Sequence, residues 1–312
     1  MKSNFYMPLY FFLLLFVSNN LLAQELPPIQ KFTSLDYGGE NQNWMISQGI
    51  DKFIYVGNNE GLLEYNGAKW KMYQSPNNTI IRAVNAVEKR IYTGCYMEFG
   101  FWERDVFGKL KYKSLVSKFK ESMIEDEQIW NIITLDEWML FQSLNRIYFY
   151  NTVSGVTKII HSKNVISKVF NIEKVIYYHV NNEGIFTIEA GKSRLLVDSS
   201  LFGNDKVVGM FQIPDGLLIL TRGLGFYKLI DGKLSVWNSA ASEVLKNINV
   251  FNSIQLKDKS FVIGTIKNGV IYLSKDGVVE YELNRSRGLS NNTALCLFED
   301  IDNNVWVGLD NG

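Results

Sequence analysis

The stretch VFNSIQLKDKSFVIGTIKNGVIYLSKDGVVEYEL (250–283) holds four short apolar runs separated by three polar turns. VFNSIQL (250–256) is followed by KDKS, FVIGT (261–265) by IKNG, and VIYLS (270–274) by KDG, ahead of VVEYEL (278–283). Short runs rich in Val, Ile, Phe and Tyr, bounded by Gly, Asn and Asp, read as strands a, b, c and d of one antiparallel sheet. The turn between b and c recurs along the chain: YVGNNEGLLEY (55–65), TGCYMEFGFWE (93–103), FQSLNRIYFY (141–150), YHVNNEGIFTI (178–188), LTRGLGFYKL (220–229), IGTIKNGVIYL (263–273) and VGLDNG (307–312). Its closing positions are Gly61, Gly100, Arg146, Gly184, Gly225, Gly269 and Gly312, spaced by 39, 46, 38, 41, 44 and 43 residues. Glycine at six of the seven is expected if the hairpin needs a positive φ. A period near 42 with four strands per unit is that of a propeller blade. The expected fold is therefore all-β, a seven-bladed β-propeller of four-stranded antiparallel blades with the last blade incomplete.

Composition bounds the function. The 312 residues carry 32 Lys plus Arg against 32 Asp plus Glu, and this zero balance argues against nucleic acid as a partner. Cys95, Cys296, His161 and His179 are the only cysteines and histidines, too few for a disulfide framework or a Cys/His metal cluster. Both cysteines lie in apolar surroundings and read as buried free thiols, and both histidines as partly exposed strand residues. DIDNN (300–304) spaces its oxygens like a calcium loop but lacks the loop's glycine and final glutamate, so it reads as an a–b turn. No Ser–His–Asp set or Gly-x-Ser-x-Gly elbow is visible. The expectation is no catalytic residue, no metal and no cofactor.

The amino terminus reads as an export signal. Lys2 precedes the apolar LYFFLLLFV (9–17), about half of a membrane span, and cleavage is expected after Ala23. Residues 1–23 are then a signal peptide and 24–312 the propeller, placed in the periplasm. The segment IQKFTSL (29–35) precedes the first strand a, reads as a strand d and is expected to complete the seventh blade. The sequence stops at Gly312, where strand c of that blade would begin. This reads as a fragment whose open edge would favour a homodimer.

RGLSNN (287–292) followed by EDIDNNVWVGLDNG (299–312) resembles the repeat of the two-component-regulator propeller family, and IGTIKNG in the sixth unit fits it as well. The opening LPPIQKFTSLDYGGENQNWMISQ (26–48), with YVGNNEGLLEYNGAKW (55–70) and IYTGCYMEFGFW (91–102), resembles the periplasmic propeller sensors that precede a triple-tyrosine domain. The resemblance implies a bacterial sensor region whose partners are downstream signalling domains, a histidine kinase or a helix-turn-helix output, lying beyond this stretch.

In a propeller the b–c turns and d–a loops emerge on one side. That places Asn58, Glu60, Tyr96, Glu98, Asn182, Glu183, Arg222, Lys267 and Asn268, with Asn59 and Asn145, on one rim, joined by Arg82 and Asn292 from d–a loops. Amides, acids, aromatics and arginines converging on a ring suit a polar small molecule or an oligosaccharide. The expected function is an extracytoplasmic ligand-sensing propeller that binds without turnover. The alternatives are a propeller glycosidase or lyase, with Glu60 and Glu98 flanking a sugar, and a protein-interaction scaffold.

Overall fold

A computed structural model describes residues 26–189 and 191–312; the expected signal peptide lies outside the described residues. Six four-stranded antiparallel sheets follow one another along the chain, each paired in the order a–b–c–d except for two-stranded pairing at the end. Blade 1 is Asn43–Gln48, Ile54–Asn58, Gly61–Tyr65 and Trp70–Gln74. Blade 6 is Val250–Gln255, Phe261–Thr265, Val270–Leu273 and Val279–Leu283, within a residue or so of the sequence reading. The count of complete blades is six rather than seven. The seventh repeat forms only the hairpin Ala294–Glu299 with Val305–Leu309.

The strands a line the centre. Those of blades 2 to 5 are Ala83–Val87, Asn131–Leu135, Ile166–Ile172 and Val207–Ile213. Each packs beside the next, and Ala294–Glu299 packs against both Val250–Gln255 and Asn43–Gln48, so among the described residues the ring closes through inner strands, with Val305–Leu309 also packed on Asn43–Gln48. An inner strand has an unpaired edge, and buried backbone groups need partners. Side chains from neighbouring blades supply many of them. Asn85 Nδ2 donates to Ile132 O, Asn131 Nδ2 to Val169 O and Ser253 Oγ to Val208 O, while Ser47 Oγ accepts from Ala86 N.

Strands b and c are apolar on both faces because each is covered by a neighbouring blade. The core is consequently a series of layers between blades. Tyr55, Leu62, Ile91 and Trp102 fill one layer; Tyr92, Phe99, Phe141 and Tyr148 fill the next. Strands d carry Lys and other polar residues at the outer edge, as in Lys192–Asp198 and Leu110–Ser114, which discourages edge-to-edge pairing.

Two expectations about backbone geometry are corrected. Residues 29–35 form no strand. Thr33 caps a single helical turn, Ser34–Tyr37, with Asp36 reaching back to the Thr33 N–H at 2.6 Å. Phe32 instead packs against Tyr65, Trp70 and Trp306. The recurring turn glycines do not all need a positive φ: Gly61 and Gly100 lack one. There a Cβ would collide with the carbonyl oxygen of Tyr73 or Lys113 on strand d. At Gly269 both causes act, with φ at 76° and the Leu283 carbonyl oxygen in the path of a Cβ.

Candidate functional site

Hydrogen bonds tie the b–c turns to the d–a loops and put both on one face. Ile81 N donates to Asn58 O at 3.1 Å, Met97 N to Glu127 O at 2.8 Å, Asn181 N to Val165 O at 2.9 Å, Arg222 N to Lys206 O at 2.8 Å and Ile266 N to Asn249 O at 3.0 Å. The sequence-derived rim residues therefore share a rim, but they play different parts.

Asn58 is fully buried. Its Nδ2 donates to Glu40 O, Gln42 O and Asn43 Oδ1, and its Oδ1 accepts from the backbone N–H groups of Glu40 and Glu60. It anchors the 39–43 loop and presents nothing to a ligand. Glu98 Oε1 accepts from Tyr112 Oη at 3.0 Å and Ser114 Oγ at 2.8 Å, which ties one carboxylate oxygen to outer strand d. Tyr96 is 38% exposed and donates to Asp126 at 2.6 Å, a bond that raises its pKa. Glu183 accepts from Asn164 at 2.7 Å, and Arg222 donates to Asn249 at 2.6 Å. Glu60, Asn182, Lys267 and Asn268 are exposed.

Arg82 stands apart. Its guanidinium carbon lies 4.3 Å from the ring centre of Trp44 and 4.5 Å from that of Trp130, two indoles that meet nearly perpendicularly with centroids 6.4 Å apart. Its Nε donates to Gln128 Oε1 at 2.7 Å. Burial lowers its pKa, with no neighbouring charge acting against that shift. Trp44 Nε1 donates to Asn59 Oδ1 at 2.7 Å, and Asn59 Nδ2 donates to Gln42 Oε1 at 2.8 Å and Glu40 Oε2 at 3.3 Å. Gln42 Nε2 in turn reaches Asp310 Oδ1 at 2.5 Å. Ser34, Gly39, Glu40, Asn41, Gln42, Asn59 and Asp310 line an open cleft of about 420 Å³ where blade 1 meets the seventh hairpin.

Below this mouth Lys168 projects between inner strands. Its Nζ donates to Asn252 Oδ1 at 3.0 Å and Val208 O at 3.4 Å, and burial pulls its pKa down to about 8, although solvent still touches part of the side chain. His179 is fully buried, contrary to the partly exposed position expected. Its Nδ1 faces Ser167 Oγ at 2.7 Å, its ring meets Phe202 edge-on, and burial lowers its pKa to about 4. His161 is exposed, 3.4 Å from Glu121. Cys95 and Cys296 are free and buried, and burial pushes both thiols up to about 12. Asp300, in the calcium-like turn, is consumed by bonds from Asn304, Asp302 and Trp306 and so serves the hairpin.

Trp44, Gln128 and Trp130 were not foreseen as rim residues, nor was the Gln42–Asn59–Asp310 network. The available signal was polar or indole residues at or just before the start of strands a, in NQNW (41–44) and EQIW (127–130).

No family model matches the chain, and no curated protein matches it. Among solved structures, the extracellular domain of the hybrid two-component system BT3049 from B. thetaiotaomicron is similar with a TM-score of 0.72 at 16% identity, over 91% of this chain and 40% of that one. The extracellular domain of the one-component system BT4673 from B. thetaiotaomicron gives 0.70 at 18%, over 87% and 38%. The WD40 propeller domain of Doa1 gives 0.67 at 11%, over 88% and 91%. The chain thus spans well under half of the two regulators' extracellular domains. Among the described residues no helix is long and apolar enough to cross a membrane. The chain has the β-propeller fold found in the extracellular domains of these bacterial regulators, the class of protein its repeats resemble.

Proposed function

We propose that this propeller is the ligand-sensing part of an extracytoplasmic bacterial signal-transduction regulator, exported to the periplasm and coupled to downstream signalling domains. Its ligand is a polar molecule, an oligosaccharide, held on the rim of b–c turns and d–a loops and not turned over. The observation that carries this reading is the assembly at the channel mouth: two indole rings, a guanidinium and a network of amides and acids beside an open polar cleft. Amides and acids match sugar hydroxyls, and indoles offer stacking surface. The likeness to extracellular domains of two-component regulators supports a sensing role over an enzymatic one. The anchoring of Glu98 Oε1 to outer strand d speaks against Glu60 and Glu98 as a glycosidase pair.

Calorimetry against an oligosaccharide panel, with chromatography of the ligand afterwards, tests the proposal. A bound, uncleaved oligosaccharide whose affinity falls in Trp44→Ala is expected. Cleavage products, or binding that ignores Trp44→Ala and Arg222→Ala alike, would refute it.

A further inference from the structure

We infer that the Arg82 guanidinium, cornered between Trp44 and Trp130, is the seat of an oxyanion on the ligand, a uronate carboxylate, so that the rim selects acidic over neutral saccharides. The inference rests on the rim reading above for the saccharide, but its charge argument is independent of it.

Arg82 is a half-buried cation without an anion. Three other partly buried arginines each have a carboxylate in reach: Arg90 has Glu103 at 3.7 Å, Arg104 has Glu64 at 2.7 Å and Arg146 has Glu127 at 4.0 Å. Among the described residues Arg82 has none, and its one side-chain hydrogen bond goes to the neutral Gln128. Its Nη1 is buried without a hydrogen-bond partner, and so is Nε1 of the adjoining Trp130. A desolvated charge is unfavourable unless it is paired, and unmade hydrogen bonds add to that penalty. An unpaired, partly desolvated positive charge calls for an acceptor carrying negative charge.

The guanidinium is held ready for such a group. The two indole faces restrict its plane, Gln128 takes Nε and Nη1 is closed off from solvent, which leaves Nη2 as the open donor towards a carboxylate oxygen. Arg222 also lacks a carboxylate, yet its Nε is engaged by Asn249 and it has no indole partner and no buried unpartnered nitrogen. The control is Arg194, on the outer strand Lys192–Asp198, where it pairs with Glu189 at 3.5 Å.

The test is a titration of the intact chain with trigalacturonate, the neutral β-1,4-galactotriose, galactose 6-sulfate and sodium glucuronate, followed by calorimetry and tryptophan fluorescence. The expected result is binding of trigalacturonate at least ten times tighter than of galactotriose, falling about 10- to 100-fold in Arg82→Gln and unchanged in Arg194→Gln. Arg82→Lys should recover only part, since it keeps the charge and loses the planar group held against the indoles and Gln128. Galactose 6-sulfate bound more tightly than glucuronate would overturn the carboxylate assignment. Equal binding of acidic and neutral trisaccharides would overturn the inference and leave the sensing proposal standing. An Arg82-dependent fluorescence response to glucuronate without oligosaccharide binding would uphold the inference and overturn the oligosaccharide reading. Silence towards all four ligands would overturn both. If Arg82→Gln failed to fold, the acidic-to-neutral ratio of the wild-type chain would decide alone.

Discussion

Replacing Asn58 should damage the fold, although its place in a rim turn suggests a ligand contact. The side chain is fully buried. Its amide nitrogen has two hydrogens shared among three acceptors at 2.6 to 3.0 Å, and its oxygen accepts two backbone N–H groups, each at 3.0 Å. Alanine deletes about four effective bonds, each worth ~1 kcal/mol net. Glu40 is exposed, so water can reclaim part of the loss at its backbone. A destabilisation of ~2–4 kcal/mol follows, or a fall in Tm of ~5–10 °C for a chain of this size. Asn58→Asp sharpens the test. It keeps the two accepting bonds but turns a second oxygen, charged at pH 7, towards Glu40 O, Gln42 O and Asn43 Oδ1. It should be worse than alanine at pH 7 and converge on it as the pH falls and the carboxyl protonates. Urea denaturation of both variants between pH 4 and pH 7 measures this. An alanine variant within ~0.5 kcal/mol of wild type, as typical for a surface change, or an aspartate variant equal to wild type, would refute the anchoring role.

His179 supplies a pH dependence. Its folded pKa of about 4 lies below its ordinary 6.5, so the unfolded chain binds the extra proton first. Stability should fall as the pH drops from about 6.5 towards 4, by up to ~3 kcal/mol; denaturation of His179→Asn should show a flatter profile in that window. Lys168 acts in the other half of the range. With a folded pKa near 8 against an ordinary 10.5, its charge weakens the fold at neutral pH. Lys168→Met should therefore stabilise by ~1–2 kcal/mol at pH 7, with the gain shrinking as the pH rises from 8 towards 10.5. Gly269→Ala combines a strained φ with a backbone collision and should cost at least ~3 kcal/mol, read as an early thermal transition.

The blade plan was legible because every blade repeats one local rule, apolar run and polar turn, that needs no partner to be recognised. Strand b of blade 6 was read at 261–265 and lies at Phe261–Thr265. Residues 29–35 misled because Ile29 and Phe32 sit among polar residues as in an edge strand, while the T-S-L-D start of a helical turn lies in the same stretch. The seventh repeat was legible as an incomplete blade because its a–b hairpin matches the repeat best, and that hairpin forms between Ala294–Glu299 and Val305–Leu309. The rim was legible as a location, since turn chemistry assigns Asn, Glu and Gly to one end of each blade. Which rim side chains face inwards was not. Asn58 and Asn59 are neighbours in one turn, yet one is sealed beneath the 39–43 loop and the other faces Trp44. Arg82 was named, but Trp44 and Trp130 stand 86 residues apart and meet only once three blades are stacked.

Ring closure on inner strands has a consequence for how the chain folds. Within each blade the strands are sequence neighbours, and blade-to-blade packing joins consecutive units. Contacts of this kind form early because little chain must be looped. The joint between the first and last repeats is the exception. Gln42 to Asp310 spans 268 residues, and Cys296 to Asn43 and Ile301 to Gln48 each span 253. From an unfolded chain such a loop costs ~2–3 kcal/mol more than closing a hairpin, but a row of stacked blades already curves towards its own start and removes most of that penalty. The joint should therefore be the last to form. Among the described residues it is held by side-chain bonds, strand packing and the backbone bond from Gly312 N to Asn41 O at 3.2 Å, and as the last joint to form it should also be the first to open. Amide exchange at Asn41–Asn43 and Asp310–Gly312 should outpace exchange within strands b. The cleft at Gln42 and Asp310 lies on that joint, which places the polar mouth on the part of the ring most able to breathe.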